Sequence, residues 1–170
     1  MRFLRRVATG AEAGLLAGAA VALLFLVQDG VQLRLFSTPL ALASGLLGSS
    51  TVEPDGGFVA RVAGFSVLGA RIIAYTLVHF FVFAAVGVAG AFVLKVTSFW
   101  TSLWGGVVYG SVLCTGLLYG GLWMGDSSVA LATLAGMGMP TILLTNAMAG
   151  AVLGMGLHLA ESSPEDAGDP

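Results

Sequence analysis

Charge is nearly missing from this chain. Residues 72–94, 99–124 and 141–160 contain no charged side chain at all, and residues 7–27 contain only Glu12. Each stretch is about the ~20 residues that an α-helix needs to cross the hydrocarbon of a bilayer. With 9% charged and 57% hydrophobic residues and a mean hydropathy of +0.95, the composition excludes a soluble domain, in which roughly a quarter of residues carry charge. The formal charge of -2 offers nothing to nucleic acid. Cysteine is limited to Cys114, within an apolar run, which rules out an intramolecular disulfide or a thiolate cluster. Histidine is limited to His79 and His158. Neither these nor the acids recur at metal-ligand spacing, and the phosphate loop, nucleophile elbow and zincin helix are all absent. The sequence is therefore expected not to encode an enzyme and to hold no metal.

What is present reads as an all-α integral membrane four-helix bundle. Spans are expected at about 7–28, 71–95, 99–124 and 140–160, in one domain covering 1–160, followed by an acidic tail at 161–170 with too little apolar content to fold. The start resembles a secretory leader, with Arg2, Arg5 and Arg6 before an apolar run. That run continues to Val27 and meets Gln28-Asp29-Gly30 without a small-residue cleavage site, so it is expected to remain as the first span. Arg2, Arg5, Arg6 and Lys95 fall on one side of this topology and Arg34, Arg61 and Arg71 on the other. Because basic residues flanking the first span tend to stay inside, both termini are expected in the cytoplasm of a bacterium, with the bundle in its inner membrane.

Two short helices are expected at the outer interface. Ser37-Thr38-Pro39 has a hydroxyl cap followed by proline and opens an apolar segment, Leu40 to Leu47, too short to span. Glu53 to Gly57 reads as an exposed turn, and Phe58 to Ala70 as a helix running into the second span. Asp126-Ser127-Ser128 would cap a second short helix, Val129 to Leu134, broken at Gly136 to Pro140 before the last span. Trp100 and Trp104 at one end of the third span and Trp123 at the other form the aromatic belt of a membrane crossing. The two halves share this plan. Laying Tyr75 to Leu94 over Ile142 to Ala160 places His79 on Asn146 and Gly87 on Gly154, as in two helical hairpins related by an axis along the membrane normal.

Glycine is abundant, with 25 residues. Gly10, Gly14 and Gly18 repeat at a spacing of four, as do Gly106 with Gly110, Gly116 with Gly120, and Gly150 with Gly154. Lipid supplies no hydrophobic force between helices, so close backbone approach through small residues must hold them together. These stripes exceed what one four-helix core obviously needs, which points to a further hydrophobic partner besides the lipid bilayer.

Polar groups at membrane depth are costly and hence candidates for function. His79 and Asn146 lie at similar depth, and a hydrogen bond between them is expected; Cys114 reaches the same level. A single-histidine pigment or haem site at His79 is the cofactor alternative. Two-histidine haem ligation is excluded, because His79 and His158 differ in depth by roughly 15–20 Å at helical rise. Asp29 and Arg71 are expected to pair at the outer interface, and Glu12 to be neutralised by Lys95 or His158.

The order Asp29, then Ser37-Thr38-Pro39, then Tyr75-Thr76-x-x-His79-Phe80 resembles a group of uncharacterised bacterial four-span membrane proteins. In that group an Asp ends the first span, a Thr-Pro follows, and a Tyr-Thr-x-x-His-Phe motif opens the second. The resemblance covers mainly residues 10–95 and implies that Thr38, Pro39 and His79 belong to a shared architecture. It implies no catalytic residue.

The expected function is that of a non-catalytic accessory subunit packed against the hydrophobic subunits of a larger bioenergetic complex, a photosynthetic reaction centre with its antenna or a respiratory complex. A small solute or ion transporter, and a pigment or haem carrier, are the alternatives. Topology can be tested directly: protease added to right-side-out vesicles should leave the acidic tail intact, and cleavage of that tail would reverse the orientation.

Overall fold

The computed structural model describes residues 2–33, 36–47, 58–124 and 128–162. Arg34, the turn expected at 53–57, the Asp126-Ser127 cap and the tail beyond Ser162 lie outside them. Among the described residues the regular structure is entirely helical: α1 (Arg2–Val31), α2 (Ser37–Leu47), α3 (Phe58–Val93), α4 (Phe99–Tyr109), a π-helical segment (Gly110–Cys114), α5 (Thr115–Met124), α6 (Ser128–Met137) and α7 (Met139–Ser162). Four helical stretches are long and apolar enough to cross a bilayer: Phe3–Val31, Ser66–Val93, Phe99–Gly121 and Met139–Ser162. The protein is a multi-pass membrane protein.

Side-chain size is sorted in the manner of a bundle in lipid. The core is made largely of small residues, with Ala13, Ala17, Ala91 and Ala149 buried beside Leu153 and Leu157, while Leu16, Leu23, Phe81, Val112 and Leu144 face outward. Trp100 and Trp104 point outward at one end of the third span and Trp123 at the other, separated by about 28 Å from Trp104 at 1.5 Å per residue. The joined helix expected from Phe58 onward is continuous. At 36 residues, α3 extends about 54 Å, longer than the hydrocarbon is thick.

Two glycine seams hold the bundle. A Cβ on Gly14 would overlap the Phe83 carbonyl, and one on Gly87 would lie 2.6 Å from the Gly14 Cα. That seam joins α1 to α3. In the second seam a Cβ on Gly150 would overlap the Gly106 carbonyl, and one on Gly110 would lie 2.6 Å from the Gly150 Cα, which joins α4 to α7. Gly87 and Gly154, superposed by the sequence repeat, occupy corresponding places, since Gly154 packs against Ser102 and Gly106. The hairpins α1–α3 and α4–α7 are thus equivalent units, joined through α1 and α7.

The ends are closed by polar and aromatic contacts. Ser98 caps α4, its Oγ accepting from the Thr101 N–H at 3.3 Å, after the short connection that carries Lys95. Nearby, Arg6 stacks over the Phe92 ring at 5.5 Å, tying the first turns of α1 to the end of α3. At the opposite end α2 and α6 meet through Leu42 and Leu134, against Ile142. The break before the last span is one residue, Gly138, whose φ of 79° lies in the left-handed region that favours glycine; α6 continues to Met137 rather than ending near Leu134.

Asp29, expected to pair with Arg71, is held by the start of α2. Buried Asp29 accepts from the Ser37 hydroxyl at 3.0 Å, the Thr38 N–H at 2.9 Å and the Thr38 hydroxyl at 2.7 Å. A carboxyl group at the end of α1 thereby caps the start of α2, where helix N–H groups have no internal partner and the helix dipole favours negative charge. The cap is closer to Asp29 along the chain than Arg71 and offers three donors at once. It also holds a turn in which Leu33 and Phe36 take positive φ values of 54° and 65°, each costing on the order of 1–3 kcal/mol for a non-glycine residue. Asp29→Ala should therefore lower stability by about 3 kcal/mol, the sum of three ordinary hydrogen bonds, as measured by thermal or denaturant unfolding in detergent; a loss below about 0.5 kcal/mol would show that the clamp is dispensable.

Candidate functional site

The two hairpins are not joined symmetrically. The α1–α7 contact is tight, with a Cβ on Gly156 reaching Ala13 at 3.2 Å. Its counterpart under the repeat is the contact between the third span and α3, and there the helices separate. They are bridged near the middle by Tyr109, whose hydroxyl donates to the Val86 carbonyl at 2.8 Å. Toward the α2–α6 end they leave a cleft of about 220 Å³. Its walls are α3 and the face of α5 bearing Leu117, Leu118 and Gly121, and its floor includes Phe25 of α1 and Ile142 of α7.

The π-helical segment lies where this divergence begins. It begins at Gly110, which with Gly106 of α4 faces α7, and shifts the helical register before α5, whose Leu117 and Leu118 line the cleft. Such bulges interrupt the regular i to i−4 ladder and recur at functional sites. Residue types within Gly110–Cys114 carry no distinctive signal for it, and the sequence reading treats 99–124 as one uninterrupted helix.

Polar residues gather at the cleft. Tyr75, His79, Cys114 and Asn146 all line it. The structure brings His79 and Asn146 to one cavity, as depth matching suggests, but does not bond them to each other. His79 Nε2 lies 3.0 Å from the Gly18 carbonyl. Asn146 Nδ2 donates to the Thr115 hydroxyl at 2.8 Å. Each polar side chain thus makes one hydrogen bond within its own hairpin, His79 to α1 and Asn146 to α5. The reason is geometric: partners across a glycine seam are in backbone contact, whereas the cleft separates α3 from the other hairpin.

A carbonyl only accepts, so the contact with Gly18 requires a proton on Nε2, and in the neutral ring Nδ1 is then an acceptor. Tyr75, Phe80 and Phe83 surround the imidazole, with centroid distances of 5.8, 5.4 and 4.8 Å. Among the described residues, the Tyr75 hydroxyl, His79 Nδ1 and Asn146 Oδ1 have no hydrogen-bond partner. Among the described residues no fully buried side-chain nitrogen or oxygen lacks one, so these three atoms are not fully enclosed. A second cavity of about 190 Å³ lies on the far side of α3, against α1 and Pro39 of α2, and shares Phe25, Tyr75 and His79 with the first.

The other sequence candidates lie elsewhere. Glu12 is exposed on the outside of α1, and no described side chain pairs with it, so neutralisation by Lys95 or His158 is not what the structure shows. His158 instead meets the Phe99 ring edge-on at 6.1 Å. No group of three or more His, Cys, Asp or Glu that could hold a metal ion occurs among the described residues. A pigment or haem at His79 would have to take Nδ1 or displace Gly18 from Nε2. Sequence reading passed over the hydroxyl of Tyr75 and the bridge from Tyr109, because an aromatic residue in a span is usually packing and only its neighbours show whether the hydroxyl is used.

No protein-family model matches the chain, nor does any curated protein or solved structure.

The bonding pattern can be checked by double-mutant cycles on unfolding in detergent. Asn146→Ala and Thr115→Ala should couple by about 0.6–1.7 kcal/mol, the range found for interhelical hydrogen bonds in membranes. Asn146→Ala and His79→Ala should be additive within about 0.5 kcal/mol. Coupling in the second cycle and none in the first would restore the direct His79–Asn146 bond.

Proposed function

We propose that this protein is a non-catalytic accessory subunit that packs against the hydrophobic subunits of a larger assembly in a bacterial inner membrane, with both termini in the cytoplasm. One observation carries the reading. The third span has two glycine pairs, and they face different surroundings: Gly106 and Gly110 are buried against α7, whereas Gly116 and Gly120 have nothing within 4 Å. With about 100° per residue, Gly116, Gly120 and the outward Trp123 lie on the side of α5 opposite to Leu117, Leu118 and Gly121 of the cleft. A flat face of this kind lets a second helix approach closely enough for backbone contact, the main source of attraction between helices in lipid. A bioenergetic complex, photosynthetic or respiratory, is the setting we favour, since a small bundle of this kind contributes there by packing and positioning.

A second reading, a small solute or ion transporter, draws on the cleft, because internal repeats and polar groups near mid-membrane are features of transporters. A route across the bilayer would have to continue through the half of the bundle that carries the termini. That half is filled by Ala13, Ala91, Ala149, Leu153 and Leu157, which offer a solute or ion no polar lining.

Glycine-to-leucine substitutions separate these readings. Gly14→Leu, Gly110→Leu and Gly154→Leu should prevent the bundle from forming, since each Cβ would meet backbone. Gly120→Leu should leave the melting temperature unchanged and abolish co-purification with the partner in mild detergent. If Gly120→Leu retains the partner, or the wild type purifies alone and moves a solute into liposomes, the subunit reading gives way to the transporter.

A further inference from the structure

We propose that the cleft between α3 and the third span is a binding site for a hydroquinone carrying an apolar chain, held by Tyr75, His79 and Asn146. Binding alone is inferred, with no electron transfer.

Charge and size narrow the ligand first. Neither cavity is lined by Asp, Glu, Lys or Arg, so a phosphate, carboxylate or ammonium head would sit unpaired at membrane depth, where unpaired charge is costly. The head is neutral. A volume of about 220 Å³ lies below the roughly 300–1,000 Å³ of drug-sized pockets. It admits a single substituted ring and excludes a macrocycle. Aromatic walls from Phe25, Tyr75 and Phe83 suit the face and edge of such a ring better than a branched glycerol. A chain attached to the ring has a way out, because Val78 and Val82 line the cleft and are themselves 44% and 40% exposed on the lipid side.

Hydrogen-bond polarity then selects the oxidation state. Of the open groups, His79 Nδ1 and Asn146 Oδ1 accept, since Nε2 serves Gly18, while the Tyr75 hydroxyl and the second hydrogen on Asn146 Nδ2, whose other hydrogen serves Thr115, can donate. Quinone carbonyls only accept, so they can meet those donors but leave His79 Nδ1 and Asn146 Oδ1 without a proton. Hydroquinone hydroxyls donate, and their oxygens accept from the Tyr75 hydroxyl. A reduced ring therefore satisfies all three polar groups left open in an apolar cleft, where unmade hydrogen bonds are costly. A long-chain alcohol presents one hydroxyl and reaches at most part of the set.

Calorimetric titration of the purified protein in mild detergent, under reducing and oxygen-free conditions, tests this. The probes are a hydroquinone with a decyl chain, the matching quinone, and decanol as the lipid-like alcohol. The hydroquinone should bind at least about tenfold more tightly than the quinone, since a mismatched pair of acceptors leaves the site unsatisfied. Tyr75→Phe removes a hydroxyl that has no partner among the described residues, so it should leave thermal melting unchanged and weaken binding about three- to tenfold. Val82→Trp should fill the cleft and abolish binding, with melting as the control for folding. Equal binding of hydroquinone and quinone, insensitive to Tyr75→Phe, would mean partition into the micelle and overturn the site. Displacement by decanol at equal concentration would overturn the ring assignment. Gly120 and its partner surface play no part in this inference, so either can fail without the other.

Discussion

Backbone-to-backbone approach at glycine is the constraint on which the rest of the molecule depends. In water, the two hairpins could be driven together by burying leucine and phenylalanine. In lipid those side chains gain nothing by leaving the hydrocarbon, and many of them face outward, Leu16, Phe81 and Leu144 among them. What remains is van der Waals contact, which falls off steeply with distance and so requires main chains to touch. Gly14 against Phe83 and Gly87, and Gly106 and Gly110 against Gly150, provide that contact. A single Cβ at these positions has no space, and for this reason the seams fix both the helix pairs and their register.

Register in turn decides which polar groups meet. Gly18 lies one turn beyond Gly14 on α1, and its carbonyl lies within hydrogen-bond distance of His79 Nε2 on α3. The same logic in the other hairpin brings Asn146, one turn before Gly150, to Thr115. His79 and Asn146 each find a partner within their own hairpin, and the hydrogen bond that does cross between hairpins, from the Tyr109 hydroxyl to the Val86 carbonyl, lies nearer the termini, so it does not draw α3 onto α5 at the level of Cys114. The repeat is satisfied twice within hairpins and broken between them: α1 meets α7 closely, while α3 and the third span diverge. The cleft is the consequence, and it inherits the unfulfilled halves of His79 and Asn146 together with the hydroxyl of Tyr75.

Much of this was legible along the chain. Three charge-free stretches located spans, the four-residue spacing of glycine located seams, and Thr38-Pro39 located the start of α2. Depth counted along helices brought His79, Asn146 and Cys114 to one level, and all three line the cleft. Pairings read from depth went wrong, because depth fixes height in the membrane but not azimuth around the bundle. Asp29 shares a level with Arg71 yet caps α2 through Ser37 and Thr38. Glu12 shares a level with basic groups yet points away from the bundle.

The sequence by itself determined that this is a membrane protein of four spans in two equivalent hairpins, since span length, charge scarcity and glycine spacing are local properties set by the thickness and dielectric of a bilayer. It also determined which residues are small enough to form seams. Only the tertiary structure decided which glycines are used internally and which stay open, because Gly110 and Gly116 have the same spacing pattern and differ only in what lies opposite. The cleft, the π-helical register shift beside it and the three open polar atoms belong to the same category. They arise where two hairpins fail to close on each other, and that is a relation between surfaces which no single stretch of chain contains.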